Sequence, residues 1–260
     1  MKKLLIWLPG MLSMLAACTE AVEIPARAPE KQSPVRVELH LTTEQQAATR
    51  AMDENCIRDV NLYLYGDTEY HFYFPSVSSP LVFNVLPGNY RSYAIANAGQ
   101  DLGDKNAFKI QFYETAVDVM ESSDAIPMTD RGTLAVDGAG RCTPSSLRVT
   151  RSAAKIAYTI EVADAVAPSL RLRSVQFCNL PLTIRPFDSG SISSTVEANY
   201  YDGEAMPVGN ERRTAGTAYL FENLQGSVDT ITDQKDKCPE NAPSCATYLR
   251  ILAERSADKA

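Results

Sequence analysis

Histidine and tryptophan are almost missing from this chain. Its 260 residues hold two histidines, His40 and His71, and one tryptophan, Trp7. So little imidazole disfavours a zinc centre built mainly on histidine and a Ser-His-Asp triad. It also leaves a cysteine nucleophile without a ready base. Positive charge is short too. Lys and Arg number 25 against 32 Asp and Glu, for a net charge of −7. No basic stripe is present, so nucleic acid and anionic headgroups are poor partners. None of the six cysteines, at 18, 56, 142, 178, 238 and 245, stands in a CxxC pair, which argues against a zinc ribbon or thioredoxin-type chemistry. The sequence carries no glycine-rich phosphate loop, βαβ alternation or EF-hand spacing. The acids Asp101 with Asp104, and Asp229 with Asp233, therefore read as solvated loop residues, and no metal or cofactor is implied. Paired carboxylates for glycoside hydrolysis stay open, because any β-rich surface protein offers candidates.

What is present begins with an export signal. Lys2 and Lys3 precede a mainly apolar run, Leu4 to Met14, too short to be a convincing membrane span. Leu15-Ala16-Ala17-Cys18 follows and resembles the lipobox of bacterial lipoproteins, whose cysteine is acylated and becomes the first mature residue. Residues 1–17 then form the signal peptide, and 18–33 a Pro-rich linker holding the folded part off the lipid. Thr19 and Glu20, with no Asp beside the cysteine, point to the outer membrane.

The next stretch, Ser33 to Asn55, organises the rest. Val35, Val37, Leu39 and Leu41 alternate with Arg36, Glu38, His40 and Thr42, the period of a half-buried strand. A polar tether containing Arg50-Ala51 follows, so the strand could be cut free. Further strands are predicted at Ile57–Tyr65, Tyr70–Phe74, Leu81–Val85, Tyr90–Ala96, Gly132–Val136, Leu170–Leu180, Ala218–Phe221 and Ala246–Ala253, with one long strand region over Ser146–Val162. Leu86-Pro87-Gly88-Asn89 is a hairpin turn. Ala107–Met120 reads as partly helical. Many short strands between turn signals predict an all-β sandwich architecture. The polar stretch Gly190–Val208 suggests a transition, giving an N-terminal domain at 34–198 and a partial C-terminal β domain at 199–260. Cys238 and Cys245 flank a turn in KCPENAPSC. In an oxidising compartment they are candidates for a disulfide, which for so short a loop would add about 2 kcal/mol.

In order along the chain, these pieces resemble the fimbrillin-like lipoproteins of Gram-negative gut and oral anaerobes. The resemblance rests on the lipobox at Leu15–Cys18, Thr49-Arg50-Ala51 before a strand, and the hairpin Pro87-Gly88-Asn89-Tyr90 with Ala96-Asn97. It rests also on Arg151-Ser152-Ala153-Ala154-Lys155-Ile156 and on Tyr219 to Gly226 followed by Ala246-Thr247-Tyr248. It implies two transthyretin-like β-sandwich domains, the second short or incomplete, in a non-enzymatic structural protein. It further implies cleavage by an Arg-specific protease between Arg50 and Ala51, loss of the first strand, and a groove that accepts a strand from another fimbrial subunit. Arg58 is a rival cut site, inside a predicted strand. Family members usually continue past the Ala-Thr-Tyr strand. Against that pattern the sequence reads as either a truncated product or a terminal subunit that accepts a strand without donating one. The competing reading is an outer-membrane glycan-binding lipoprotein, whose platform would have to come from Tyr63, Tyr65, Tyr70, Phe72 and Phe74, residues that suit a sheet core better.

Overall fold

The computed structural model describes residues 32–43, 56–111, 115–116, 126–188, 192–226, 231–236 and 238–255. The strands of its first half are β1 Val35–Thr43, β2 Val60–Tyr65, β3 Glu69–Phe74, β4 Leu81–Val85, β5 Gly88–Ala96, β6 Thr115–Ala116, β7 Met128–Val136, β8 Cys142–Thr143 and β9 Ser146–Arg151. One short helix, α1 at Ala107–Gln111, lies among them. The strand order is β3-β2-β5-β7-β9-β1-β4, with β8 beside β7. The two ends of this ribbon meet: the Phe72 ring on β3 lies 4.9 Å from Phe83 on β4. Folded over itself, the ribbon encloses one core of Val37, Leu39, Leu62, Leu64, Phe83, Leu134, Leu147 and Val149. The alternation along each strand places these side chains on one face.

Strand β2 is buried on both faces, along all six residues. Val60, Leu62 and Leu64 enter the main core. Tyr63 and Tyr65 enter a second cluster with Tyr93, Ile95, Ile110 and Phe187. Loop 97–106 covers that outer face because β2 supplies its hydrogen bonds: Asn61 Nδ2 donates to Gln100 O, and the Tyr63 and Tyr65 hydroxyls donate to the carbonyls of Gly103 and Lys105. The predicted hairpin does not form: β4 and β5 follow one another in the chain, but β4 pairs with β1 while β5 pairs with β2 and β7, so Leu86-Pro87 carries the chain from one end of the ribbon to its interior. Tyr90 folds back so that its hydroxyl donates to Leu86 O, and burial pushes this phenol up to about 12.

The second half contains β10 Ala153–Glu161, β11 Leu170–Cys178, β12 Leu180–Pro181, β13 Thr183–Ile184, β14 Tyr200–Tyr201, β15 Met206–Pro207, β16 Arg213–Phe221 and β17 Tyr248–Arg255. Here β10 pairs with β16, and β11 lies between β15 and β17. Phe177, Leu180 and Ala218 form a small core with Tyr158 and Leu249 against it.

One further expectation changes. The long strand predicted over Ser146–Val162 is two strands parting at Ser152, where the backbone N–H donates to Pro127 O. β9 stays with β7 and β1, while β10 leaves to pair with β16. Strand partnership thus changes at Ser152. Strands β12 and β14, on either side of residues 182–199, pair with each other.

Candidate functional site

The strand singled out from the sequence is an interior strand. Its alternation is realised in full: Val37 and Leu39 have no exposed surface, Val35 and Leu41 are half-buried, and Arg36, Glu38, His40 and Thr42 face outward. Burying two such side chains is worth about 3–6 kcal/mol. Arg36 Nη2 lies 3.2 Å from Glu38 Oε1, an exposed pair that adds little.

Both edges of β1 are occupied. On one edge it pairs antiparallel with β4, Val35 opposite Val85 through Leu39 opposite Leu81. Past that ladder, Ser79 takes over: its Oγ accepts Leu41 N–H at 3.3 Å. On the other edge β1 runs parallel to β9, His40 opposite Ser146 through Thr43 opposite Val149. His40 N–H donates to Ser145 O at 3.0 Å, and Thr42 Oγ1 to Leu147 O at 3.2 Å. The turn before β9 continues this wall toward the N-terminal half of β1. Cys142 Sγ donates to Glu38 O at 3.4 Å. Burial, then the charge of Asp137, pushes this thiol up, which keeps it a donor at neutral pH. Gly140 lies against Arg36 with φ +78°, and a β-carbon there would sit 2.1 Å from Arg36 O. Only glycine fits so close an approach in that conformation.

Withdrawing β1 would therefore leave a slot walled by β4 and by residues 140–149. Its floor would be the apolar row containing Leu62, Phe83, Leu134 and Leu147. The unpaired backbone groups on both walls fit one kind of occupant, an extended strand with apolar side chains at every second position. Ser79, Gly140 and Cys142 belong to this slot and were not singled out from the sequence. Cys142 is visible in the sequence only as one of six cysteines, and its partner about 100 residues away is not visible at all.

The other candidate residues fall elsewhere. Cys18, Arg50 and Ala51 lie outside the described residues. Cys238 and Cys245 are free thiols in this structure. A 3-10 turn at Pro239–Asn241 winds up the loop between them, with Asn241 and Ala242 N–H bonded to Cys238 O, while Cys245 is buried. Tyr63, Tyr65, Tyr70, Phe72 and Phe74 all pack in or against the two cores of the first half. Asp101 and Asp104 do more than meet solvent. Each lies 3.7 Å from a ring nitrogen of His71, which stacks on Tyr63 at 4.4 Å and contacts Asn61 Oδ1 at 3.0 Å. Burial lowers the His71 pKa, and the two carboxylates oppose that shift. The Tyr219–Gly226 motif also gains a physical role. Asn223 Nδ2 donates to Cys245 O at 2.8 Å and Thr247 Oγ1 at 2.9 Å, while its Oδ1 accepts from Tyr200 and Gln225. It ties three chain segments together.

Among the described residues, no group of His, Cys, Asp and Glu could hold a metal ion. An open cleft of about 1190 Å³ runs past Thr150, Ser152, Ile184, Asn199, Tyr200 and Glu222. No helix among the described residues is long and apolar enough to cross a membrane.

Comparison with known proteins locates the fold. Residues 218–260 match a family model described as a domain of unknown function, DUF4906. No curated protein matches the chain by sequence. A candidate cell adhesion protein of Bacteroides eggerthii superposes with a TM-score of 0.55 at 12% identity, covering 90% of this chain and 78% of that one. One of Parabacteroides distasonis gives 0.54 at 10% identity, covering 90% and 82%. A fimbrilin of Porphyromonas gingivalis gives 0.46 at 12% identity over 84% and 80%, too low a score to carry weight. The chain is all-β and has the β-sandwich fold of the two adhesion proteins.

Proposed function

We propose that this chain is a structural subunit of a surface fimbria, of the fimbrillin-like kind, and that it supports adhesion without catalysing a reaction. It is exported as an outer-membrane lipoprotein acylated at Cys18. An Arg-specific protease cuts between Arg50 and Ala51, β1 leaves, and a strand from a neighbouring subunit takes its place. The observation that carries this reading is the position of β1: an interior strand, near the start of the chain, followed by the tether that holds Arg50. Its inward residues are apolar and its walls are backbone edges, which another strand of the same period can satisfy.

Bound to its own chain, β1 also protects the subunit. A vacant slot is an exposed edge over an apolar floor, prone to indiscriminate pairing. Keeping β1 in place until the protein reaches the surface confines assembly to that location. Two proteins with the same fold are described as candidate cell adhesion proteins, which agrees with this reading. The glycan-binding alternative loses its platform, since the aromatic residues it needs line the cores.

The test is N-terminal sequencing and intact mass of the protein recovered from the cell surface, with and without an inhibitor of Arg-specific proteases. The expected result is an acylated Cys18 start in the inhibited cells and an Ala51 start in the untreated ones. A mature chain that keeps residues 33–50 in both overturns the proposal.

A further inference from the structure

Strand β17 is exposed along Arg250–Arg255 on both faces, and Ile251 and Leu252 keep 47% and 57% of their surface in solvent. One edge is paired with β11, Leu170 opposite Arg255 through Cys178 opposite Tyr248. Among the described residues no strand pairs with the other edge. Natural edge strands are usually short, bulged, proline-containing or covered. This one is eight residues long with two large apolar side chains at its middle.

We infer that β17 pairs edge to edge with β17 of a second copy, antiparallel about a two-fold axis through Leu252. The sequence of the strand selects both the partner and the register. A two-fold axis normal to the sheet keeps the inner faces of both copies on one side, so opposed residues share a face and their numbers differ by an even amount. Centred on Leu252, the pairing sets Arg250 opposite the second copy's Glu254 twice over, Leu252 opposite Leu252, and Ile251 opposite Ala253. Centred on Arg250 it would oppose two like charges. Centred on Ile251 or Ala253 it would set Leu252 against Arg250 or Glu254. Only the Leu252 register joins opposite charges and covers both apolar residues. Arg250 and Glu254 also make polar contacts within their own chain. Arg250 Nη2 lies 2.7 Å from Asp202 Oδ2 and Gln176 Oε1, and Glu254 is paired with Arg173. Both contacts run toward β11 and its neighbours, so the second copy would share these groups. The resulting sheet would run β15-β11-β17 into its two-fold copy, and a heterologous, chain-forming contact is not required.

The experiment is sedimentation of the full-length chain in detergent over a concentration series, for the wild type and four variants. The wild type is expected to sediment as a dimer that dissociates on dilution. Leu252→Lys, which opposes two ammonium groups on the axis, should raise the dissociation constant at least tenfold. Arg250→Glu and Glu254→Arg should each weaken the dimer, and the double reversal should restore most of the affinity. Melting curves of the same samples separate loss of pairing from loss of fold, because Leu252 is exposed and its replacement should leave the melting temperature within a few degrees. A monomer at every concentration overturns the inference. So does a dimer indifferent to Leu252→Lys, or a double reversal no tighter than the single ones.

Discussion

Cutting Leu39 back to alanine should loosen β1 before it loosens the rest of the sheet. Leu39 has no exposed surface and stands opposite Leu81 at the end of the β1–β4 ladder. Truncating a fully buried leucine costs about 2–5 kcal/mol, the spread reflecting how far neighbours collapse into the space. For a folded unit of roughly 150–250 residues, 1 kcal/mol moves the melting temperature by about 2–4 °C, so a fall of about 4–20 °C is expected. Glu38→Ala is the internal control. Its side chain is 56% exposed and its ion pair with Arg36 is solvated, so the change should stay within about 0.5 kcal/mol. Thermal denaturation gives the global cost, and hydrogen exchange with mass spectrometry gives its location. If β1 is a removable unit, exchange should rise together in residues 35–43, in β4 and in β9, while β5 and β7 keep their protection. Equal effects from Leu39→Ala and Glu38→Ala would refute the burial reasoning. Exchange rising uniformly through β5 and β7 would refute the idea that β1 parts from an otherwise standing sheet.

Other consequences can be measured on the same protein. Gly140→Ala puts a β-carbon into Arg36 O and should destabilise by more than about 2 kcal/mol, whereas Gly138→Ala, with open space around it, should be near neutral in the same melting assay. His71 has a folded pKa lowered from its ordinary value by burial. The stability that its neutral ring supports is therefore complete above the unfolded pKa near 6.5 and declines as pH falls below it. Melting temperatures between pH 8 and 5 should drop more for the wild type than for His71→Gln, and parallel curves would contradict this. Asn223→Ala, which takes away the amide that donates to Cys245 O and Thr247 Oγ1, should cost about 1–3 kcal/mol. Alkylation of the denatured, unreduced protein should modify both Cys238 and Cys245, since each is a free thiol.

Local patterns were legible in the sequence, and long-range partners were not. The alternation of Val35, Val37, Leu39 and Leu41 named both the strand and its buried face, because a period of two admits one arrangement against a core. The turn signal Pro87-Gly88-Asn89 marked the end of β4 but misnamed its partner, since β4 pairs with β1 and β5 with β2 and β7. The break at Ser152 left a trace that composition alone hid. Leu147 and Val149 have odd numbers while Ile156, Tyr158 and Ile160 have even ones, so the apolar face changes phase between β9 and β10. A continuous strand would have had to turn one set outward. The burial of β2 on both faces could not be read, because the loop that covers it begins some 30 residues later. Strand β7 begins at Met128, four residues before the predicted start at Gly132, and β16 at Arg213, five before Ala218. In both cases ladder partners extend a strand past its apolar residues. The slot around β1 joins residues 35–43, 79–85 and 140–149, and such a meeting is set by topology rather than by any segment's own pattern.

The decisive measurement is uptake of a replacement strand. The chain is cut with an Arg-specific protease and mixed with an excess of a synthetic peptide spanning residues 33–43, and its composition is followed by native mass spectrometry. The account predicts that the cut chain exchanges its own first strand for the peptide one for one, and that a peptide carrying Leu39→Asp is refused. A cut chain that takes up neither peptide, or takes up both equally, would contradict it.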